Sequence, residues 1–300
     1  MIERVMEWIF IVCGFIAVGS VALITVYMFI SGAPAIGKVG VLEFLFGNVW
    51  SPKSDMYGIL PMILTSIIGT FGAILIGVPI GLLTAVFLAE IASDKARAII
   101  KPAIELLAGI PSVIYGLLGS ILLVPLFGRL EEIIFKGSET HKFTGGANLL
   151  SAICVLSIMI LPTIVNVSET TLRSIVPQYK QASLAIGATH IQTIFKVLIP
   201  AGRSGIATGI VLGVGRAIGE AMAIILVSGN VVNMPLPFSS VRFLTTGIVA
   251  EFSYSAGFHR QALFGIGLVL FVFIMIINIV LNRLLKKGLA EGRGGKKDEK

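Results

Sequence analysis

Six stretches rich in apolar residues, at about 8–30, 59–90, 105–127, 149–170, 206–228 and 261–284, limit what this chain can fold into. A helix needs about 20 such residues to cross the hydrocarbon of a bilayer, because it rises about 1.5 Å per residue. Backbone N–H and C=O groups find no water in lipid, so each stretch must close its own hydrogen bonds as a helix. The expected fold is an all-α membrane protein with six transmembrane helices, forming a single transmembrane domain over 1–300. Composition agrees, with 56% hydrophobic and only 13% charged residues, far from the balance of a soluble domain. The first stretch is too long for a signal-peptide core and lacks a convincing cleavage site, so it reads as a retained span.

An even number of spans puts both termini on one side. With that side inside, the inner segments and C-terminal tail hold 15 Lys and Arg residues and the outer segments 7; without the tail the split is 8 to 7. The basic tail at 285–300, counted with Arg283 just before it, therefore decides the orientation, with both ends cytoplasmic. Dispersed between apolar runs, the positive charge marks topology and offers no nucleic-acid surface. Cys13 and Cys154 sit in apolar runs as inert thiols. His141, His190 and His259 have no ligand spacing, so no metal site is expected. Pro79, Pro111 and Pro162 are placed to bend their helices. Glu90, Glu105 and Glu169 lie near the inner ends of spans, within reach of Lys95, Lys101 or Arg173. Thr65, Ser66, Asn166 and Ser168 can bond across helices or line a pathway, and the sequence leaves both open. Trp8 suits an interfacial anchor, whereas Trp50 has no assigned role.

The fifth stretch carries the one sequence-level anomaly. Arg216 and Glu220, in "GVGRAIGEAMA", are the only charges between Ser204 and Val241. Arg216 lies ten residues past Ile206, about 15 Å into the span. Four residues apart on a helix, the two side chains share a face. A charge at that depth costs about 2.5–3.5 kcal/mol. Two readings follow: an internal salt bridge that staples the helix, or a gate or anion contact lining a pathway. The planar fork of arginine suits phosphate or carboxylate oxyanions. Gly209 and Gly213, and Gly215 and Gly219, form two small-residue faces that admit another helix or a passing solute.

The inner loop, 171–205, is bounded by Pro177 and Pro200 and reads as two short helices joined at Gly187. Within it, "QASLAIGATHIQTIFKVLIP" resembles the cytoplasmic coupling loop of ABC importer permeases. That pattern is Glu-Ala-Ala, three residues, Gly, nine residues, Ile-x-Leu-Pro. Gln181, Ala182 and Ser183 take the first three places, Gly187 the glycine, and Val197, Ile199 and Pro200 the close. Gln for Glu removes one ionic contact to a partner but leaves the helix–Gly–helix shape.

"ELLAGIPSVIYGLLG" and "GRAIGEAMA" are similar to the phosphate-specific importer permeases of the PstC/PstA pair, and the N-terminal arrangement is more like PstC. The resemblance covers essentially the whole chain. It implies the ABC type I importer permease fold and a prokaryotic inner-membrane location. It also implies a sister permease, two ATPase subunits and an extracytoplasmic phosphate-binding protein as partners. No Gly-x-x-x-x-Gly-Lys-Ser/Thr loop occurs in the sequence, so the chain cannot cradle ATP phosphates in the usual way; it is expected to bind no cofactor itself, with ATP hydrolysed by a partner. On this reading Gln181, Ala182, Ser183, Gly187 and Pro200 engage the ATPase, and Arg216 and Glu220 line the substrate pathway. The alternatives are a permease for sulfate, molybdate or phosphonate, a stand-alone channel or secondary transporter, and a non-transporting scaffold.

Overall fold

The computed structural model describes residues 2–294, so the last residues of the basic tail at 285–300 lie outside the described residues. Among the described residues the regular structure is helical apart from one short hairpin. Among the described residues, six helices are long and apolar enough to cross a membrane: Glu3–Val39, Leu60–Ile91, Ser112–Ile134, Leu149–Arg173, His190–Gly219 and Gly257–Val280. The chain forms two compact units. Of the described residues, one comprises 2–60 and 247–272; the other comprises 61–246 and 273–294.

In the first unit, α1 (Ile2–Val39) meets the early part of α13 (Gly257–Gly294). A Cβ on Gly32 would stand 2.8 Å from the backbone of Phe264 and Gly265, so only glycine allows this crossing. α2 (Val41–Phe46) buries Phe44. A two-stranded antiparallel hairpin follows, β1 (Trp50–Ser51) against β2 (Met56–Tyr57). Trp50 finds its role here. Its indole N–H donates to Glu251 Oε2 at 2.9 Å, and His259 Nε2 lies 2.8 Å from the same oxygen. A polar cluster thus ties the hairpin to the chain that enters α13.

The second unit is built around α7 (Leu149–Arg173), in which Leu156, Ile160 and Ile164 are fully buried. α3 (Leu60–Val86) runs parallel to it. Cβ atoms on Gly72, Gly77 and Gly81 would press on Ile153, Ile160 and Ile164 in turn. α10 (Ile199–Gly219) runs antiparallel on another side. Gly205, Gly209 and Gly213 face Thr171, Val167 and Ile164. One of the two small-residue faces of the fifth span is therefore spent on packing within the chain. Gly215 and Gly219, the other face, have nothing within 4 Å of a built Cβ.

The second stretch ends where the hydropathy pattern suggests, whereas the third begins and ends later. α3 runs through a π-turn at Phe87–Ile91, and then α4 (Asp94–Gly109) begins, capped by Ser93 Oγ on the Ala96 N–H. Residues 105–109 thus belong to α4, which packs beside α7. The third long helix starts only at α5 (Ser112–Leu118) and continues to the end of α6 (Val124–Ile134). Pro111 is the cause: it disfavours helix in the residue before it, and Ile110 is extended at φ −68°, ψ 128°. The Tyr115 hydroxyl bridges the gap by donating to the Leu107 carbonyl at 2.7 Å.

At the α6 end, a buried carboxylate organises the following loop. Glu131 accepts from the Thr144 N–H at 3.0 Å, the Thr144 hydroxyl at 2.8 Å and the Gly146 N–H at 3.3 Å, and lies 2.8 Å from His141 Nε2. Removing one partner from such a cluster leaves buried donors unpaired, at a cost of about 3–5 kcal/mol. Glu131→Ala is therefore expected to lower the thermal unfolding midpoint of the solubilised protein, and Glu131→Gln to lower it less. Equal, unchanged melting of both variants would show that the cluster contributes nothing.

Candidate functional site

The inner-loop motif folds into two helices joined at Gly187, and its geometry follows from local chemistry. α8 (Pro177–Ala185) begins with Pro177 at a position where the missing N–H costs nothing. Gly187 takes φ +88°, the left-handed conformation that glycine adopts without strain. Its N–H donates to Leu184 O at 3.0 Å, and the Ala188 N–H donates to Ser183 O at 3.2 Å. Thr189 and Gln192 then form a capping box that starts α9 (His190–Thr193).

The expectation that the second helix is short, ending at Pro200, is corrected here. It continues through a π-turn at Ile194–Leu198 into α10, making one helix from His190 to Gly219. Pro200 lacks the N–H that an α-helix needs at that point. The wider turn, with the Ile199 N–H on Ile194 O, takes up the irregularity without ending the helix.

Gln181, Ala182, Gly187 and Pro200 are exposed, and Ile186 at the turn is 87% exposed. Ser183 is buried, with its hydroxyl 2.9 Å from that of Thr193. The departure from the family pattern at Ser183 is thus a cross-link between the two helices of the motif. Lys180 Nζ lies 2.6 Å from Glu90 Oε2, tying α8 to the π-turn at the end of α3. Glu169 pairs with Lys101 at 3.0 Å and with Arg173 at 3.7 Å. The local sequence offered Lys101 and Arg173 as partners. Lys180, 90 residues from Glu90, carries no local signal.

In the fifth span, the structure alters the relation between Arg216 and Glu220. α10 stops at Gly219. Glu220 is extended at φ −73°, ψ 131°, and α11 (Met222–Ile225) resumes after Ala221. The expected helix over 206–228 is therefore broken, and the two charges do not share a helical face. Glu220 Oε1 instead accepts the Ala223 N–H at 2.9 Å. Its main-chain carbonyl accepts the Thr245 hydroxyl at 2.7 Å. Arg216 is partly exposed and forms no hydrogen bond or ion pair among the described residues. The staple of the sequence reading is absent from this conformation.

α11 seats directly on α5, because a Cβ on Gly116 would stand 2.7 Å from the Ala223 main chain. The interruptions at 110–111 and 220–221 thus belong to helices that pack together. Thr245 lies at the start of α12 (Leu244–Phe252), and the Leu244 N–H there donates to Ser66 Oγ of α3 at 3.0 Å. Neither Thr245 nor Gly116 is marked by hydropathy or charge. Gly116 was visible only as a small residue inside the quoted "IYGLLG".

Residues 77–287 match the family described as binding-protein-dependent transport system inner membrane component. The chain is 37% identical over 282 residues to the "Probable ABC transporter permease protein YqgH" of Bacillus subtilis (strain 168), covering 90% of this chain and 88% of that protein. It is 34% identical over 264 residues to the phosphate transport system permease protein PstC of Pasteurella multocida (strain Pm70), covering 85% and 82%. Among solved structures, a bacterial ABC transporter involved in the import of the acidic polysaccharide alginate superposes with a TM-score of 0.58. That match covers 92% of this chain and 97% of that one at 18% identity; at such identity the likeness speaks for the fold alone.

Proposed function

This chain belongs to the family of binding-protein-dependent transport system inner membrane components, and we propose that it is the membrane-spanning permease subunit of an ATP-driven phosphate importer. It is a multi-pass membrane protein, and phosphate is the cargo named for its PstC relatives. The observation that carries the site is Arg216: a guanidinium in an apolar helix, beside a break, with no carboxylate paired to it among the described residues. Discontinuous helices supply transporters with polar groups at membrane depth without a lipid-exposed loop.

In this reading both termini are cytoplasmic, and the end bearing Gly187 faces the ATPase. An external binding protein delivers phosphate to a cavity shared with a sister permease. Arg216 meets the anion there through charge-assisted hydrogen bonds. ATP-driven closure of two ATPase subunits moves α8 through the exposed Gln181, Ala182 and Gly187 surface. Lys180 and Ser183 pass that motion on, one to the end of α3 through Glu90 and the other to the helix that becomes α10.

The test is reconstitution. The tagged chain is expected to co-purify with a second multi-span permease and an ATPase. In proteoliposomes with the binding protein, that complex should take up radiolabelled phosphate only with ATP inside, and excess sulfate or molybdate should not compete. Flux through the chain alone would overturn the reading in favour of a channel, and competition by sulfate would move the cargo to another oxyanion.

A further inference from the structure

No proline interrupts the sequence between Pro200 and Pro235, and residues 216–225, "RAIGEAMAII", are mostly good helix formers. Gly219 weakens the helix at this point by about 1 kcal/mol, but a single glycine does not by itself end a helix among such neighbours. Two side-chain hydrogen bonds stand where main-chain ones would be. In a continuous helix the Glu220 carbonyl would accept from the N–H of Ile224, and the Ala223 N–H would donate to Gly219. Here the Glu220 carbonyl accepts from Thr245 Oγ1 at 2.7 Å, and the Ala223 N–H donates to Glu220 Oε1 at 2.9 Å. Two of the groups freed by the break, the Glu220 carbonyl and the Ala223 N–H, are thus paired again by side chains, which lowers the cost of the broken form. Thr245 is itself held: it is buried, and its neighbour Leu244 is fixed to Ser66.

We propose that Thr245 is a positioning residue whose hydroxyl holds residue 220 out of helix, keeping the Glu220 carboxylate away from Arg216. When that bond is released, residues 216–225 close into one helix. Glu220 then comes one turn above Arg216 and pairs with it at i,i+4. The broken form presents a bare guanidinium to an anion, and the continuous form neutralises it and lets the anion go. Only differential affinity of this kind lets a conformational change move cargo. The inference rests on the reading that Arg216 contacts the anion, and adds the element that sets its charge.

The experiment uses the assembled importer with Cys13 and Cys154 replaced by alanine and spin labels at Thr208→Cys and Met222→Cys, two exposed positions. Fourteen residues of unbroken helix span about 21 Å. Thr245→Val is expected to gather the distance distribution at that spacing, whereas Thr245→Ser keeps the distribution of the parent. Phosphate uptake is expected to fall about tenfold in Thr245→Val, as for the loss of one charge-assisted contact. Thr245→Ser should restore it. In an E220Q background, which has no anion to neutralise Arg216, Thr245→Val should cause no further loss. An unmoved distance distribution in Thr245→Val, or an equal uptake loss in the E220Q background, overturns the proposal. If Arg216→Gln leaves uptake intact, it is the anion contact itself that fails.

Discussion

Arg216→Gln is expected to reduce phosphate uptake by the assembled importer roughly 10–150-fold, the factor carried by a hydrogen bond to a charged group of about 1.5–3 kcal/mol. The protein itself should melt as before. A structural staple would behave differently, because deleting one member leaves the other charge buried alone. Here Glu220 already has the Ala223 N–H as its partner, so loss of Arg216 strands no acid. Removing a charge from an apolar helix adds no insertion cost, so abundance in the membrane should not fall. Arg216→Lys keeps the charge but not the planar fork, and should fall between the parent and Gln. Radiolabelled uptake normalised to membrane abundance, with thermal unfolding alongside, measures all three. Full uptake in the Gln variant, or a loss that tracks a lower melting point, would sink the anion-contact reading.

The second large effect is expected at Gly187. With φ at +88° and nothing within 4 Å of a built Cβ, a side chain there meets no obstacle, and the whole penalty lies in the backbone. An L-residue in the left-handed region pays about 1–2 kcal/mol, and a β-branched one is a clear outlier there. Gly187→Val should therefore re-register the turn and pull Ser183 away from Thr193. Uptake is expected to fall at least about tenfold while the ATPase keeps hydrolysing, because α8 no longer reports nucleotide closure to α10. Asparagine visits the left-handed region readily, so Gly187→Asn should stay within about twofold of the parent. The ratio of phosphate moved to ATP hydrolysed is the measurement. An unchanged ratio in Gly187→Val would take this turn out of the coupling path.

The helix–Gly–helix shape of the motif was legible because its causes are local: proline at a helix start, glycine at a left-handed turn, a capping box at the restart. The continuation of its second helix through Pro200 was not, because the π-turn that absorbs the missing donor leaves no mark in composition. Of the two glycine faces on the fifth span, the sequence could not say which one packs internally. That depended on Val167 and Ile164 of α7 standing opposite Gly209 and Gly213. The acids near the inner ends of spans were legible as charges seeking partners. That Glu90 takes Lys180 was decided by where α8 comes to rest.

The amino-acid sequence by itself determined six membrane-length helices, a helix–Gly–helix turn at Gly187 and an arginine within the apolar fifth stretch. All three follow from local properties: apolar run length, the conformational freedom of one residue, and the scarcity of charge. Only the tertiary structure decided that Arg216 and Glu220 are parted. The Thr245 hydroxyl and the Ala223 amide occupy the Glu220 carbonyl and carboxylate in place of helix and ion-pair partners. Thr245 lies outside the run from 206 to 228, so apart from Gly219 at the break that run does not record the separation.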